Sequence, residues 1–216
     1  MPFDVICISQ TDGSGGAGIG RAVADRLGFR YADEEVIVQA AHLAQVDPAV
    51  VAAAEQRQNW LQRFMDAMTT AQDAIGTATL AAGMVVPTVN NPWARRASKD
   101  DLRSLIRAAI HELGKAGSAV IGAHAASHAL AGKPEVLRVL ITAPAPVRCT
   151  RVAASRSIPI ESATEAIAAG DQGRREYFRV FYELDEELPT QYDLVLNTEH
   201  LTAEQVTEVI VHAARG

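Results

Sequence analysis

The 216-residue sequence predicts a three-layer α/β/α fold with a mainly parallel sheet. Short apolar segments rich in β-branched residues alternate with longer amphipathic segments, as expected for parallel strands that are connected by helices. A glycine-rich turn follows the first of these strands and leads directly into a helix. Hydrophobic residues make up 48% of the chain and charged residues 21%, which is typical of a globular protein and not of a disordered one.

The first elements follow from the apolar pattern. Residues 3–9 are apolar and β-branched and fit a buried parallel strand. In the helix after the turn, Ile19, Val23 and Leu27 fall on one face, and Gly28 is expected to end it. The chain then predicts a short strand, followed by a second helix.

The middle of the chain is predicted to be mainly helical. Residues 47–82 are rich in Ala and Gln and almost free of Gly and Pro, and a Pro- and Asn-containing loop follows them. The next helix has Ser98 as its expected N-cap and ends at Gly114 or Gly117.

The chain after residue 117 predicts two apolar strands, a helix, a helical hairpin, and a last strand and helix. Arg148, Arg151 and Arg156 are interpreted as surface charges on the first of these helices, although Arg156 is also a candidate for phosphate binding. Residues 158–185 predict two helices that are separated by a glycine-containing break, the second rich in Arg and aromatic residues. Thr202 begins the last helix with a capping-box spacing.

The turn after the first strand contains five glycines within eight residues, at positions 13, 15, 16, 18 and 20. Glycine permits positive φ angles and a close approach of the backbone, so that successive N–H groups can point at an anion. The N-terminus of the following helix adds a partial positive charge. The turn therefore predicts phosphate binding by the backbone. The alternative interpretation is a simple strand-to-helix turn that binds nothing.

Two phosphate-binding patterns fit this turn. Gly13 and Gly18 match the glycines of G-x-x-x-x-G-K-[ST], but Ile19 and Gly20 replace its Lys and Ser/Thr. Gly13, Gly15 and Gly18 also match G-x-G-x-x-G, with Asp33 near the acidic position of an NAD-binding Rossmann enzyme. The late Arg-rich hairpin favours a phosphotransferase, because arginines can stabilise the charge on a phosphoryl group in transfer.

Five segments together resemble the cytidylate kinase-like family of P-loop nucleoside monophosphate kinases. They are GSGGAGIGRAVADRLGFRYADEEVI, AVIGAHA, VLRVLITAPAPVRCTRVAA, AIAAGDQGRREYF and YDLVLNTEHLT, and their order along the chain is the family's. The first segment and the D-x-x-R-x-x-Y block at Asp171, Arg174 and Tyr177 are the most specific, and the resemblance is weakest between residues 47 and 98. A hydrophobic residue often replaces the loop lysine in this branch, so Ile19 is compatible with it.

The resemblance implies one domain over residues 1–216 with a P-loop kinase-like fold. Its core would comprise residues 1–46, 98–155 and 190–216, with a helical acceptor-side insertion at about 47–97 and a helical lid at about 156–189. It also implies ATP with Mg²⁺ as the phosphoryl donor and a small phosphorylated acceptor, most plausibly a nucleoside monophosphate such as CMP or dCMP.

The site residues expected from this resemblance fall into three groups. The nucleotide-binding group is Gly13, Ser14, Gly15, Gly16, Ala17, Gly18, Ile19, Gly20 and Arg156. The catalytic group is Arg174 and Arg175 in the lid, with Arg21 near the phosphates and Asp171 orienting the arginines. The acceptor-binding group is Asp33, Arg96 and His124. No protein metal site is expected apart from the Mg²⁺ that accompanies ATP.

Two departures from the family pattern define the competing hypothesis. The family usually ends its third strand with V-G-R-G-A, where this chain has Ala123 followed by His124, and it often carries Arg-Glu where this chain has Gln10 and Thr11. The loss of these charges is compatible with a changed acceptor. It is equally compatible with a nucleotide-binding or regulatory protein that has lost turnover.

Charge and cysteine content limit the partners and the compartment. The net charge is −6 and the pI about 5.5, which argues against binding to nucleic acid or to anionic membranes. Cys7 and Cys149 lack metal-ligand spacing and are expected to be buried, reduced thiols of a cytoplasmic protein. Small-molecule nucleotides are the expected partners, and the Ala-rich segment leaves a homodimer open.

Overall fold

The computed structural model of the protein describes residues 3–33, 35–44, 99–122 and 125–216. The helical insertion that is expected at 47–97, the N-cap Ser98 and the candidate acceptor residues Arg96 and His124 lie outside these residues. The predictions for these positions therefore stay predictions.

Five parallel strands form one sheet in the order β2-β3-β1-β4-β5. The strands are β1 (Val5–Gln10), β2 (Arg30–Ala32), β3 (Ala119–Ile121), β4 (Val136–Thr142) and β5 (Leu194–Asn197). Strand β1 is central, and its Val5 pairs with Ala119 on one side and with Val136 on the other. The chain order reverses on either side of β1, which places the ends of β1 and its neighbours at the edge where ligands bind in open α/β sheets.

The strands are connected by helices, as the alternation in the sequence predicted. The helices are α1 (Gly16–Leu27), α2 (Glu35–Ala44), α3 (Lys99–Ala116), α4 (Ala126–Ala129), α5 (Ala145–Arg156), α6 (Ile160–Tyr182) and α7 (Ala203–Arg215), and a 3₁₀ turn covers Pro189–Gln191. Gly28 and Gly117 follow α1 and α3 with φ angles of 69° and 67°, a left-handed conformation that favours glycine. Thr202 begins α7 with the predicted capping box.

The sheet separates two apolar cores. Val5 and Cys7 of β1 face a cluster with α2, α3 and Phe181 of α6, whereas Ile6 and Ile8 face α1 and α7. This alternation within one strand is the period of two that allows a central strand to bury both faces. Each of these fully buried aliphatic side chains contributes roughly 1.5–3 kcal/mol to folding. The predicted three-layer architecture is therefore confirmed.

The predicted break between two helices in residues 158–185 is wrong, because α6 is one continuous helix of 23 residues. Its buried face carries Ile167, Phe178 and Phe181, and burying these side chains outweighs the roughly 0.5–1 kcal/mol by which each internal glycine weakens a helix. Gly170 faces Asp12 at about van der Waals distance, since a Cβ atom added there would lie 4.0 Å from that side chain. The glycines therefore bring α6 close to the turn after β1.

Within the described parts of the chain, we find no helix that combines the length and the apolar character needed to cross a membrane.

Candidate functional site

The turn between β1 and α1 lies at the carboxyl end of the central strand. Gly13 and Gly15 have φ angles of 78° and 83°, which side chains rarely tolerate. A Cβ atom on Gly13 would also lie 2.9 Å from the carbonyl oxygen of Arg148, so this position requires glycine for two separate reasons. We call residues 10–18, which begin with the last residue of β1, the glycine loop.

Helix α1 begins in this loop without a side-chain cap. Gly15 occupies the N-cap position in the left-handed conformation and offers no side-chain acceptor to the first N–H groups of the helix. A Cβ atom added to Gly15 or Gly18 would meet nothing within 4 Å, so the space beside them is open. Uncapped N–H groups at the positive end of a helix form a site for an anion such as phosphate.

Three donors from other elements hold the backbone of the loop in place. The carbonyl oxygens of Gln10, Asp12 and Ser14 accept hydrogen bonds from Arg174 (2.8 Å), Arg148 (3.2 Å) and Thr198 (2.9 Å), respectively. The donors come from α6, from α5 and from the residue after β5. The loop is therefore fixed by contacts that are distant in the sequence.

A cavity of about 580 Å³ opens between the glycine loop and α5. We call it the loop cavity; its walls are Gln10, Asp12, Gly13, Gly15, Ala17 and Gly18 on one side and Arg151, Val152, Ser155 and Arg156 on the other. Two guanidinium groups thus face the uncapped start of α1. Such a space suits the phosphates of a nucleotide.

A second cavity of about 330 Å³ lies on the other side of the loop, against α6. We call it the α6 cavity; its walls include Ala125, Gly170, Asp171, Gly173, Arg174, Tyr177 and Phe178. Gln10 and Asp12 line both cavities. Two ligands could therefore meet at the wall that these two residues form.

The sequence predicted Arg148 as a surface charge. This prediction is wrong, because Arg148 is buried, with 5% of the residue exposed. Its two Nη atoms donate to the two carboxylate oxygens of Asp171 at 2.9 and 2.7 Å, and its Nε donates to the carbonyl of Ala143 at 2.9 Å. Asp171 therefore orients Arg148, and neither Arg174 nor Arg175 is its partner in these contacts. This pair joins α5 to α6 directly beneath Gly13.

Arg174 makes a second paired contact at the wall of the α6 cavity. Its Nε and Nη2 donate to the Glu187 carboxylate at 2.8 and 2.7 Å, and its guanidinium lies 4.8 Å from the ring centre of Phe178. Although burial lowers the pKa of Arg174, the Glu187 carboxylate more than offsets this effect, so its pKa lies above the ordinary value. Arg174 is therefore charged but already paired with a carboxylate.

The network extends from Glu187 to Tyr192 and His128. The Tyr192 hydroxyl donates to Glu187, and His128 Nε2 lies 3.2 Å from that hydroxyl. Burial, together with the nearby Glu187 charge, raises the pKa of Tyr192. Burial and the Arg174 and Arg138 guanidinium groups lower the pKa of His128, against an opposing effect of Glu187, which favours a neutral imidazole.

The remaining predicted residues lie apart from the cavity walls. Arg175 is exposed, and within the described ranges it makes no ion pair. Arg21 is exposed and lies over the ring of Tyr31, 5.0 Å from its centre, on the β2 side of α1. Asp33 follows β2 and lies close enough to Tyr31 to raise the pKa of that phenol, in addition to burial. None of the three is among the residues that line the two cavities.

Two predicted loop residues point away from the loop cavity. Ile19 is 1% exposed and packs in the core with Ile6 and Val23, so its side chain is structural at the position where a lysine was expected. Ser14 is also buried, and its hydroxyl has no hydrogen-bond partner among the described residues. Arg156 does reach the loop cavity, where its Nη2 lies 3.2 Å from the carboxylate of Asp12.

Sequence reasoning did not select Asp12, Thr198 or Glu187, and it assigned Arg151 to the surface. Asp12 and Thr198 each follow a strand at its carboxyl end, and this position is a signal that could have identified them. Glu187 carries no comparable signal, because its pairing with Arg174 depends on how the chain returns from α6 to β5.

Comparisons with known proteins support both the fold and the resemblance to a family. The sequence profile of the cytidylate kinase-like family matches residues 5–200. An uncharacterized protein from Eubacterium ventriosum ATCC 27560 has a TM-score of 0.64 at 14% identity, with 98% of each chain covered. The shikimate kinase from Bacteroides thetaiotaomicron has a TM-score of 0.51 at 13% identity, again with 98% of each chain covered.

A shikimate kinase from Acinetobacter baumannii, in complex with shikimate, has a TM-score of 0.50 at 10% identity and covers 98% of this chain and 92% of its own. At these identities the structural likeness shows a P-loop kinase fold and no more. No curated protein has a sequence that matches this chain. None of these comparisons supports the alternative of an NAD-binding Rossmann enzyme. Because the family profile extends over residues 5–200 of the 216, this chain belongs to the cytidylate kinase-like family.

Proposed function

We propose that the protein transfers the γ-phosphoryl group of ATP to a small phosphorylated acceptor, most plausibly a nucleoside monophosphate such as CMP or dCMP. One observation carries this proposal: an uncapped glycine loop faces one cavity, and that cavity meets a second one at a wall formed by Gln10 and Asp12. A kinase needs this arrangement, because donor and acceptor must approach in line at one point.

The loop cavity is the proposed site of ATP. Backbone N–H groups between Gly13 and Gly18 would hold the phosphates, and Arg151 and Arg156 face them from α5. The ion pair between Arg156 and Asp12 is about half exposed on both side chains and therefore contributes little to stability. Arg156 can exchange this carboxylate for a phosphate at small cost.

Asp12 is the described residue that best fits a Mg²⁺ ion bound with ATP. Its carboxylate lines both cavities, and Mg²⁺ in kinases is commonly held by one or two carboxylates together with phosphate oxygens and waters. No group of three or more His, Cys, Asp or Glu side chains suited to a metal occurs among the described residues, so a metal site formed by protein alone has no support there. When bound, Mg²⁺ would neutralise charge on the phosphates.

The α6 cavity is the proposed acceptor site. An oxygen of the acceptor phosphate would attack the γ-phosphorus, and the bond from that phosphorus to the bridging oxygen of ADP would break. The acceptor oxygen is already deprotonated at neutral pH, so the chain needs no acid–base pair. Its contribution is position and positive charge. Arg174 lines this cavity, and Arg175 is the neighbouring exposed cation of the proposed lid.

A specific observation favours a second candidate, a nucleotide-binding protein without turnover. The cations nearest the α6 cavity, Arg148 and Arg174, are each held by two hydrogen bonds to a carboxylate. Arg174 could contact an acceptor phosphate with its full charge only if Glu187 moved away. Binding of ATP without product formation would support this second candidate.

The test is the release of ADP from ATP·Mg²⁺ with each nucleoside monophosphate in turn. Wild-type protein is compared with the Arg174→Ala/Arg175→Ala double variant and with each single variant. The proposal expects ADP that depends on one acceptor, and a loss of turnover in the double variant that exceeds its loss of ATP affinity. The single Arg175→Ala variant serves as the stability control, because Arg175 is exposed and unpaired within the described ranges.

The possible results separate the two candidates. No ADP with any acceptor, despite measurable ATP binding, would replace the kinase by the nucleotide-binding protein. Full turnover in a folded double variant would reject the assignment of the two arginines while retaining the kinase.

A further inference from the structure

Thr198 connects the two walls of the loop cavity. It follows β5 directly and is 4% exposed, and its backbone N–H donates to the carbonyl oxygen of Thr142 at 2.8 Å. Its backbone is therefore fixed to the end of the neighbouring strand β4. A side chain whose backbone is held in this way can fix the positions of the groups that it contacts.

The Thr198 hydroxyl makes contacts in two directions. It donates to the carbonyl oxygen of Ser14 in the glycine loop at 2.9 Å, and it accepts a hydrogen bond from Arg151 Nη1, also at 2.9 Å. Arg151 Nη2 donates to the carbonyl oxygen of Thr198 at 2.6 Å. One residue thus holds both the loop backbone and the guanidinium group that faces the loop across the cavity.

These partners leave the charge of Arg151 available. The oxygens that hold Arg151 are a hydroxyl and a carbonyl, which are neutral, and Arg151 pairs with no carboxylate among the residues that the structure describes. Arg148 and Arg174, in contrast, are each neutralised by a carboxylate. A guanidinium group that is oriented but not neutralised attracts an anion more strongly.

We propose that Thr198 is a positioning residue for nucleotide binding. It fixes Arg151 relative to the glycine loop, which it holds through the Ser14 carbonyl, so that Arg151 and the uncapped N–H groups at the start of α1 contact the phosphates of the same ligand. This inference rests on the proposed nucleotide site, but it does not depend on which acceptor the protein uses or on whether phosphoryl transfer occurs. The chemical class of the ligand is a polyphosphate, for which Arg151 supplies the charge that the loop itself lacks at Ile19.

Substitution of Thr198 by Val tests the hydroxyl, because Val preserves the volume and the branched shape but can neither donate nor accept. Thr198→Ser keeps the hydroxyl. Thr207→Val is a matched control, since Thr207 is equally buried, at 1% exposed, but its hydroxyl donates only to Ala203 within its own helix, at 2.8 Å. Thr207 makes neither of the two contacts that the Thr198 hydroxyl makes, to Ser14 and to Arg151.

The measurement is calorimetric titration of each folded variant with ATP·Mg²⁺ and, separately, with inorganic tripolyphosphate. We expect Thr198→Val to weaken binding of both probes by about tenfold, because a hydrogen bond to a charged group is lost. Thr198→Ser is expected to stay within about twofold of the wild type, and Thr207→Val to bind as the wild type does. Arg151→Met should weaken binding by a similar factor, and adding Thr198→Val to it should then have less than about a twofold further effect.

Several results would overturn the inference. These are unchanged binding in Thr198→Val, an equal loss in Thr207→Val, and a full tenfold loss from Thr198→Val in the Arg151→Met background. Failure of wild-type protein to bind either probe would remove both this inference and the proposed nucleotide site. Binding of both probes without phosphoryl transfer to any acceptor would reject the kinase alone, and the comparison of the variants would still decide the role of Thr198.

Discussion

The two sides of the glycine loop hold their arginines in opposite ways. On the side of the loop that faces α6, Arg148 of α5 and Arg174 of α6 are largely buried, and each donates to both oxygens of a carboxylate. On the α5 side, Arg151 is held by neutral oxygens, and Arg156 makes one exposed ion pair. The first pair of arginines tethers the loop backbone, whereas the second lines the loop cavity and can bind a ligand.

The number of arginines near a phosphate site therefore does not indicate how many of them can contact phosphate. A buried arginine with its own carboxylate is already satisfied, and removing either partner leaves an uncompensated charge. An exposed or neutrally held arginine contributes little to stability, but its charge remains available. Substitutions on the two sides should therefore separate stability from binding.

The largest expected effect is loss of stability on the α6 side. Asp171→Asn should reduce the free energy of unfolding by about 3–5 kcal/mol, because it leaves the buried Arg148 guanidinium without its counter-charge. Urea unfolding monitored by circular dichroism measures this change. The Arg148→Met/Asp171→Leu double variant, which removes both charges, should recover part of the loss. A loss below about 1 kcal/mol in Asp171→Asn would contradict the structural role of this pair.

A smaller loss of stability is expected at the second pair. Glu187→Gln should lower the free energy of unfolding by about 2–3 kcal/mol, since Arg174 and Glu187 are partly exposed and water screens part of the interaction. The same unfolding experiment measures it. Because this variant also releases Arg174 toward the α6 cavity, anion binding there should not weaken. Weaker binding in a folded Glu187→Gln variant would mean that the carboxylate helps to form the acceptor site.

The α5 side should behave in the opposite way. Arg151→Met should weaken ATP binding by about tenfold, or about 1.4 kcal/mol, while changing the free energy of unfolding by less than about 1 kcal/mol. Calorimetric titration and urea unfolding of the same preparation give both numbers. The comparison between the two sides fails if Arg151→Met destabilises the fold as much as Asp171→Asn does.

The smallest effect concerns pH and the His128 imidazole. Since burial and nearby guanidinium groups lower the pKa of His128 in the folded state, the unfolded chain takes up a proton more readily. Stability is then fully present above the unfolded pKa of about 6.5 and declines as the pH falls below it. Glu187, Arg174 and Arg138 are the charged groups that act on this ring, with the Tyr192 hydroxyl in direct contact.

Unfolding free energies measured between pH 7.5 and 5 test this expectation. His128→Gln should show a shallower decline than the wild type. His111, whose pKa is also lowered, by burial and by Lys133, Arg107 and Lys115, supplies the control. His111→Gln should leave the contribution of His128 intact. Equal slopes in the wild type and His128→Gln would show that the α6 network does not sense protonation at this position.

The sheet and the glycine loop could be predicted because local patterns determine them. The continuous burial of β1, the left-handed glycines and the Thr202 capping box each depend on a few consecutive residues. The continuity of α6 could not be predicted from its glycines, because Phe181 stabilises that helix through contacts with the core. In α6, tertiary packing outweighs the low helix propensity of glycine.

The role of each arginine depends on the residue that it pairs with, and these partners are distant in the sequence. Arg148 meets Asp171 after 23 residues, and Arg174 meets the carbonyl of Gln10 across 164. A sequence shows that these charges exist, but not which of them neutralise one another. Arg174, which the sequence predicted as a lid arginine, lines the α6 cavity, whereas its carboxylate partner Glu187 was not predicted. The roles of Arg175, Arg21 and Asp33 as site residues stay predictions.

The three tethered carbonyls of the glycine loop have a thermodynamic consequence. A flexible phosphate loop loses conformational entropy when a ligand orders it, and that loss opposes binding. Here Arg174, Arg148 and Thr198 hold the carbonyls of residues 10, 12 and 14 before any ligand arrives. The conformational entropy of the loop is therefore lost on folding and not on binding. The affinity for an incoming polyphosphate can then reflect almost the full free energy of its interaction with the loop.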